Sequence, residues 1–412
     1  VKHPDVHAPA AASAPLSKRA LTMAQIALGM GGFGIGTGEF AIMGLLPNVA
    51  DGLGVTTPEA GHAISAYALG VVVGAPVIAV LAARTSRKTL LLVLMAVFAL
   101  GNLLSALAPG YLSLLVLRFL TGLPHGAYFG VAALVAASLV PPNRRAQAVG
   151  MVMLGLTIAT LIGSPLVTWF GQMLSWRVLF ASVAVIAVLT IFLIWRYLPA
   201  TAADDGASPL RELGALKSRQ VWFVLAVGAI GGGGMFTVLS YIAPVATDVA
   251  HMPAGLVALV MVLFGAGMVA GNTVGAWLAD RSMMGTIGGA LLFTASALVL
   301  FSLTAANPYL LCLFVFLIGC EVAMVPALQT RLMDVAADAQ TLAAALNHSA
   351  FNIANALGAW LGGLAITWGY GLASTGFVGA GLALSGFVVF LCSLWLDGRP
   401  ARRARAAAGT AL

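Results

Sequence analysis

The chain has 412 residues, 61% of them hydrophobic and 8% charged, and its 20 Lys+Arg against 13 Asp+Glu give a formal net charge of +7. Mean hydropathy is +1.02, whereas a soluble domain carries about 25% charged residues, so a water-soluble enzyme or nucleic-acid-binding domain is excluded. What remains is a polytopic helical membrane protein, because apolar runs long enough to cross ~30 Å of hydrocarbon recur along the chain.

Taken in chain order, membrane-spanning helices are expected at residues 23–49, 62–83, 89–109, 112–140, 147–172, 177–199, 221–249, 257–279, 285–304, 309–334, 340–368 and 374–396. With both termini placed in the cytoplasm, eighteen of the twenty Lys and Arg residues fall on that side. Arg177 alone lies opposite, and Arg118 lies inside span four. Such asymmetry orients membrane proteins, so the basic balance records topology rather than an acidic partner. Cys312, Cys320 and Cys392 all fall within spans, which leaves no disulfide framework and no zinc spacing.

A shift of 197 residues aligns the chain with itself. Gly31, Gly34 and Gly36 meet Gly228, Gly231 and Gly233, and Pro47 and Asp51 meet Pro244 and Asp248. Gly70 and Gly74 meet Gly267 and Gly271, "LAAR" at 81–84 meets "LADR" at 278–281, and "FLTG" at 119–122 meets "FLIG" at 316–319. The second six spans therefore repeat the first six in parallel. The expected organisation is a cytoplasmic tail (1–22), a six-helix bundle (23–199), a polar cytoplasmic linker (200–220), a second bundle (221–396) and a cytoplasmic tail (397–412). Two parallel halves joined by a polar loop describe a transporter that rocks around a midplane site.

Four stretches carry a family resemblance: "GTGEFAIMGLLPNVADGLGV", "RFLTGLPHGAYFGVAALV", "GLTIATLIGSPLVTWFGQMLSWRVLF" and "LAAALNHSAFNIANALGAWLGG". With them the chain resembles the major facilitator superfamily, and more narrowly its bacterial drug/sugar:proton antiporter branch of arabinose-efflux-permease-like and chloramphenicol-efflux proteins. The resemblance covers essentially residues 23–396. It implies an all-α integral membrane fold of twelve transmembrane helices in two pseudo-symmetric six-helix bundles. It also implies a transporter of the bacterial inner membrane rather than an enzyme, with no cofactor beyond the proton gradient. Its partners would be a small-molecule substrate, protons and the lipid bilayer, with no nucleic acid, and it would work as a monomer.

The chain departs from the family pattern in two places. The loop after span two, which in the family helps latch the cytoplasmic gate, keeps Arg84, Arg87 and Lys88 but has Ala83 where an aspartate is expected and Ser86 where a glycine is expected. The carboxylate survives only in the second half, as Asp280 before Arg281. In span five the antiporter motif keeps Gly163 and Pro165, with Ser164 between them and Thr168 where a glycine is common.

Few residues are candidates for chemistry. Glu39 stands alone in a glycine-laced apolar run, with Arg19 and Asp51 as its nearest charged neighbours in sequence. An ionisable group at membrane depth faces a bundle interior or a wet cavity, so Glu39 is a proton-coupling candidate; the plainer reading is a neutral or ion-paired structural group. Arg118 and His125 share a face of span four, two helical turns apart. The resemblance links an arginine at this place to proton coupling, while the residues alone equally allow a guanidinium bonded to carbonyls and a packed, hydrogen-bonded histidine. Glu321, the carboxylate well inside the second half, would bind substrate or a second proton, or else be solvated. On span eleven His348, Asn352 and Asn355 share a face bordered by Asn347, and amides suit hydroxyl-rich ligands; interhelical hydrogen bonding is the alternative. Tyr241, Met235 and Phe236 would supply an apolar wall or pack the core.

The composite expectation is a proton-driven exporter of a small amphipathic drug or sugar-like compound. An uncoupled facilitator or importer of a sugar or nucleoside is the rival. A receptor or intramembrane enzyme is disfavoured by the lack of HExxH, P-loop, Gly-x-Ser-x-Gly or a soluble sensing domain.

Overall fold

The computed structural model describes residues 17–55, 57–200, 208–336 and 338–409; the rest of both expected tails and part of the linker (201–207) lie outside the described residues. Among the described residues there is no strand. Spans one to six are Lys18–Leu53, Glu59–Leu81, Arg87–Ala106, Tyr111–Ser138, Pro142–Met173 and Arg177–Tyr197. Span seven is Arg219–Leu239, and Pro308–Val335, Gln340–Thr367 and Ser374–Asp397 are spans ten to twelve.

Spans eight and nine differ from expectation. They form one run of 48 residues, Val257–Thr304, which at 1.5 Å per residue would be about 72 Å long if straight, more than twice the hydrocarbon thickness. The backbone leaves helical geometry at a single residue, Ser282 (φ −153°, ψ 85°). The loop expected near 280–284 is thus a one-residue break. The last helix also runs further than expected, from Ser374 to Gly409, because the Ala- and Arg-rich segment beyond the membrane favours helix.

Spans one, five and seven are interrupted, the first two within family-like stretches. Span one passes from α-helix (Lys18–Phe40) through a 3-10 turn (Ala41–Leu45) to a second α-segment (Leu46–Leu53). Span five carries a π-turn at Ala159–Gly163, just before Pro165. Span seven carries one at Val227–Gly231 and ends its long segment at Leu239, ahead of Pro244. Proline removes a backbone donor, and such turns re-route helix hydrogen bonds, often at functional sites.

Close helix crossings follow from glycine. A Cβ on Gly122 of span four would collide with the Tyr67 carbonyl of span two and sit 3.1 Å from the Gly70 Cα. The pseudo-equivalent Gly319 would collide with the Phe264 carbonyl of span eight.

The halves meet on the side of the linker. Asn272 of span eight donates to the Gly150 carbonyl of span five at 2.8 Å, and Arg145 pairs with Asp334 at 2.7 Å. Span eleven lies against spans two and four, where Gly130 leaves room for Ala345. The far segments of the first half, Leu46–Leu53 and Ser164–Met173, pack mainly on their own half. The cleft between the halves therefore closes at the linker face and opens away from it.

Candidate functional site

Glu39 occupies the last turn of the first α-segment, directly before the 3-10 turn. Thr37 and Gly38 are buried, but Glu39 is half-exposed. It lies close enough to Arg118 and Tyr67 for electrostatic interaction, and both of those are buried inside the bundle. Glu39 therefore lies on the side of span one that faces the bundle.

Arg118 is 1% exposed. Its Nε donates to the Ala63 carbonyl of span two at 3.3 Å, and its guanidinium lies 4.1 Å from the Tyr67 ring centroid. A desolvated cation over a ring is worth about 2 kcal/mol. Both terminal nitrogens are buried without a hydrogen-bond partner, and the ion pairs present among the described residues do not join Arg118 to Glu39. A cation with two open donors thus sits beside a carboxylate that it has not engaged.

From Arg118 the polar line continues. The Tyr67 hydroxyl shares a 3.0 Å hydrogen bond with His125 Nδ1. The His125 ring lies 5.4 Å from that of His348 in span eleven, which stacks on Phe129 at 4.3 Å and 15°. His348 Nε2 is buried without a partner. Glu39, Arg118, Tyr67, His125 and His348 therefore form a series that runs from span one to the seam between the halves.

The second half is arranged otherwise. Glu321 lies in a 3-10 turn of span ten (Cys320–Ala323), 1% exposed. The Met235 amide approaches it, but outside hydrogen-bond geometry, so neither carboxylate oxygen has a partner. Asn352 and Asn355 are half-exposed, and Asn352 Nδ2 donates to the His348 carbonyl at 2.9 Å. Asn347 turns away from them: its Nδ2 donates to Gln329 at 2.5 Å, and Gln329 donates to the Ala344 carbonyl at 2.9 Å. Tyr241 donates to the Ala359 carbonyl at 2.8 Å. Met235 and Phe236 are buried with Phe264 and Val322. Of the residues expected to meet substrate, Asn352 and Asn355 are accessible, and the others are engaged in packing or interhelical bonds.

The gating residues also separate. Arg84 is exposed and Arg87 half-buried. Lys88 donates to the Trp195 and Leu198 carbonyls at 2.9 and 2.5 Å, closing the end of span six. Arg281 lies over the Trp277 ring at 3.4 Å. Asp280 accepts from the Ala146 and Gln147 amides of span five. Gly163 lets span five approach Phe33 and Thr37 of span one, and Pro165 follows the π-turn. Two contributors are not evident from sequence. Tyr67 is one tyrosine in a largely apolar span. Glu212 of the linker, whose signal is an acid in a short Pro-initiated helix, proves to be 3% exposed.

Comparison with known proteins follows the same lines. A family model described as Major Facilitator Superfamily matches residues 28–341. The chain is 42% identical over 363 residues to the inner membrane transport protein YdhP of Escherichia coli strain K12, covering 87% of this chain and 93% of that one. It is 35% identical over 355 residues to a chloramphenicol resistance protein of Streptomyces lividans, covering 82% and 90%. Its fold matches the crystal structure of FucP, a Major Facilitator Superfamily transporter, in the outward conformation, with a TM-score of 0.72 at 16% identity over 91% of this chain and 99% of that chain.

Proposed function

The chain belongs to the major facilitator superfamily of membrane transporters, and on that premise we propose that it exports a small amphipathic drug or sugar-like compound from the bacterial cytoplasm in exchange for protons. The linker face and both termini then lie in the cytoplasm, as the sorting of basic residues favours. The observation that carries the reading is Glu39: a half-buried carboxylate within electrostatic reach of a buried arginine with two unused donors.

The mechanism follows from that pair. Ionised Glu39 is drawn to Arg118, and protonated Glu39 is not. Because Arg118 is held by Ala63 and Tyr67, and Tyr67 by His125, the pull acts on spans two and four. These are the spans that meet span eleven. A proton thus changes the contacts at the seam, which a ligand must do to shift a two-state equilibrium. Substrate is met by Asn352 and Asn355, and Glu321 of span ten is a second, buried polar group of the same half. A bare ion at Glu321 would cost several kcal/mol, so that position suits a proton or a cationic group of the cargo. A relative named for chloramphenicol resistance supports a compact polar-aromatic cargo.

The test uses purified protein in liposomes with an internal pH dye and an imposed proton gradient, challenged with phenicols, pentoses, nucleosides and lipophilic cations. One compound class is expected to trigger proton movement that Glu39→Gln abolishes while the variant still folds. Unchanged uphill transport in Glu39→Gln would overturn the role of Glu39. Binding without any proton movement would favour the uncoupled facilitator.

A further inference from the structure

The repeat fails to match at one functional place on the linker face. Asp280, at the end of span eight, crosses to span five and accepts from the Ala146 and Gln147 amides at 2.8 and 3.0 Å. These are the second and third residues of the helix that begins at Arg145, whose preceding residue supplies no side-chain cap. Asp280 therefore does from the opposite half what an N-cap side chain does locally, satisfying amides that have no partner within the helix.

The repeat places Ala83 where Asp280 stands and the start of span eleven where span five starts. Ala83 has no side-chain acceptor to offer. Ala339, before the first residue of span eleven, supplies no side-chain cap either. Yet the amide is satisfied. Glu212, the last residue of the linker helix Pro209–Glu212, accepts from the Leu342 amide at 2.9 Å. Leu342 is the third residue of the helix that begins at Gln340, matching Gln147 in rank.

The linker helix also packs on span two. Ala215, three residues on, is fully buried in a cluster with Ala79, Ala339 and Leu342. The far end of the linker is tied to the second half by Ser218, which donates to the Val335 carbonyl at 3.2 Å. The segment is therefore wedged between the two helices that must part when this face opens.

We infer that the linker is a working part of the gate, and that Glu212 caps span eleven in place of the carboxylate missing at position 83. Glu212 acts as a positioning residue: it pins the linker helix to span eleven so that span two has a second surface to close upon. Opening the linker face strips that helix of one of its two supports. The inference needs only the fold, and it stands whether or not transport is coupled to protons.

The experiment measures a distance and not transport. Spin labels are placed at Thr85→Cys and Asp338→Cys, exposed loop positions on the two halves, in full-length protein whose native cysteines are replaced, reconstituted in nanodiscs. Glu212→Ala should lower the ratio of short to long distances roughly threefold to thirtyfold, as expected for loss of one helix cap. Glu212→Gln, whose amide oxygen still accepts, should leave the ratio near that of the parent. Ala83→Asp should restore the short distance in the Glu212→Ala background. An unchanged distribution in Glu212→Ala, or equal opening by the Ala and Gln variants, overturns the inference. So does failure of Ala83→Asp to restore closure, because the repeat would then not relate the two caps.

Discussion

Where span two crosses span four, the Gly122 face lies on the Tyr67 carbonyl and the Gly70 face on that of Phe119; where span eight crosses span ten, Gly319 lies on Phe264 and Gly267 on Phe316. Each member of the second set is 197 residues after its counterpart. The backbone contacts of the crossing are thus repeated one for one. The chemistry around them is not. Glu39, Tyr67, Arg118 and His125 of the first half stand where the second has Phe236, Phe264, Val315 and Val322. Glu321 in turn stands at the place of Pro124. Duplication preserved the packing that small residues make possible in lipid, while the polar series belongs to the first half in all its members but His348. On the function proposed above, the first half would respond to the proton, while the second holds the accessible amides of Asn352 and Asn355 and the buried acid Glu321.

The shared backbone is broken most directly at the glycines. Gly122→Val and Gly319→Val each drive a side chain into a carbonyl, and each should cost about 3 kcal/mol or more, read as loss of folded protein or a large fall in Tm. Tolerance in one half only would mean that the crossings are not equivalent.

The asymmetry of chemistry is sharpened by Arg118→Met against Val315→Met. Removing Arg118 forfeits its bond to Ala63 and its contact with Tyr67, but it also removes a buried charge with unsatisfied nitrogens. These terms offset, so stability should change by only about 1–2 kcal/mol while proton-driven transport is lost. Val315→Met should leave both nearly unchanged. Equal loss of coupling in the two variants would move the coupling site away from Arg118.

Tyr67→Phe makes the first half more like the second, since Phe264 is its counterpart. It keeps the ring under Arg118 and removes the hydroxyl bonded to His125. The expected cost is about 1 kcal/mol, with a shifted pH profile of transport. A profile identical to the parent would detach His125 from the series.

The smallest effect concerns the linker. Burial raises the proton affinity of the Glu212 carboxyl above its ordinary value, opposed by its bonds to Leu342 and Thr341 and by the charge of Arg211. Once the face opens, the group is solvated and returns to its ordinary value. The closed state therefore binds the proton more tightly. Its contribution to closure is full below the ordinary carboxylate value and fades as pH rises through the raised one. Acidifying from pH 7 to pH 5 should increase the short-distance population in the parent, and that increment should vanish in Glu212→Gln.

Much of this molecule is legible in its sequence. Most spans fall within a few residues of their expected places, because membrane crossing demands long apolar runs that are local features of the chain; span seven, which breaks off at Leu239, and the fused spans eight and nine depart from expectation. The glycine series is visible for the same reason. Glu39 and Arg118 stand out because a charge is rare at such depth. Asn347 shows where this legibility stops. Its type and helix face suggest a ligand contact, yet a glutamine eighteen residues upstream takes its amide. Nothing local distinguishes it from Asn352, which is half-exposed.

Sequence alone therefore determined the class, the twelve crossings, the internal repeat and the handful of polar groups that hydrocarbon makes costly. Tertiary structure decided which of those groups meet. It set Tyr67 between Arg118 and His125, brought His125 within reach of His348 across the seam, and placed Glu212 at the start of a helix 130 residues away in sequence. The division has a physical cause. Burial in lipid acts on each segment separately and leaves its mark along the chain. Hydrogen bonds between helices depend on rotation, register and close approach, which are settled only when the segments pack together.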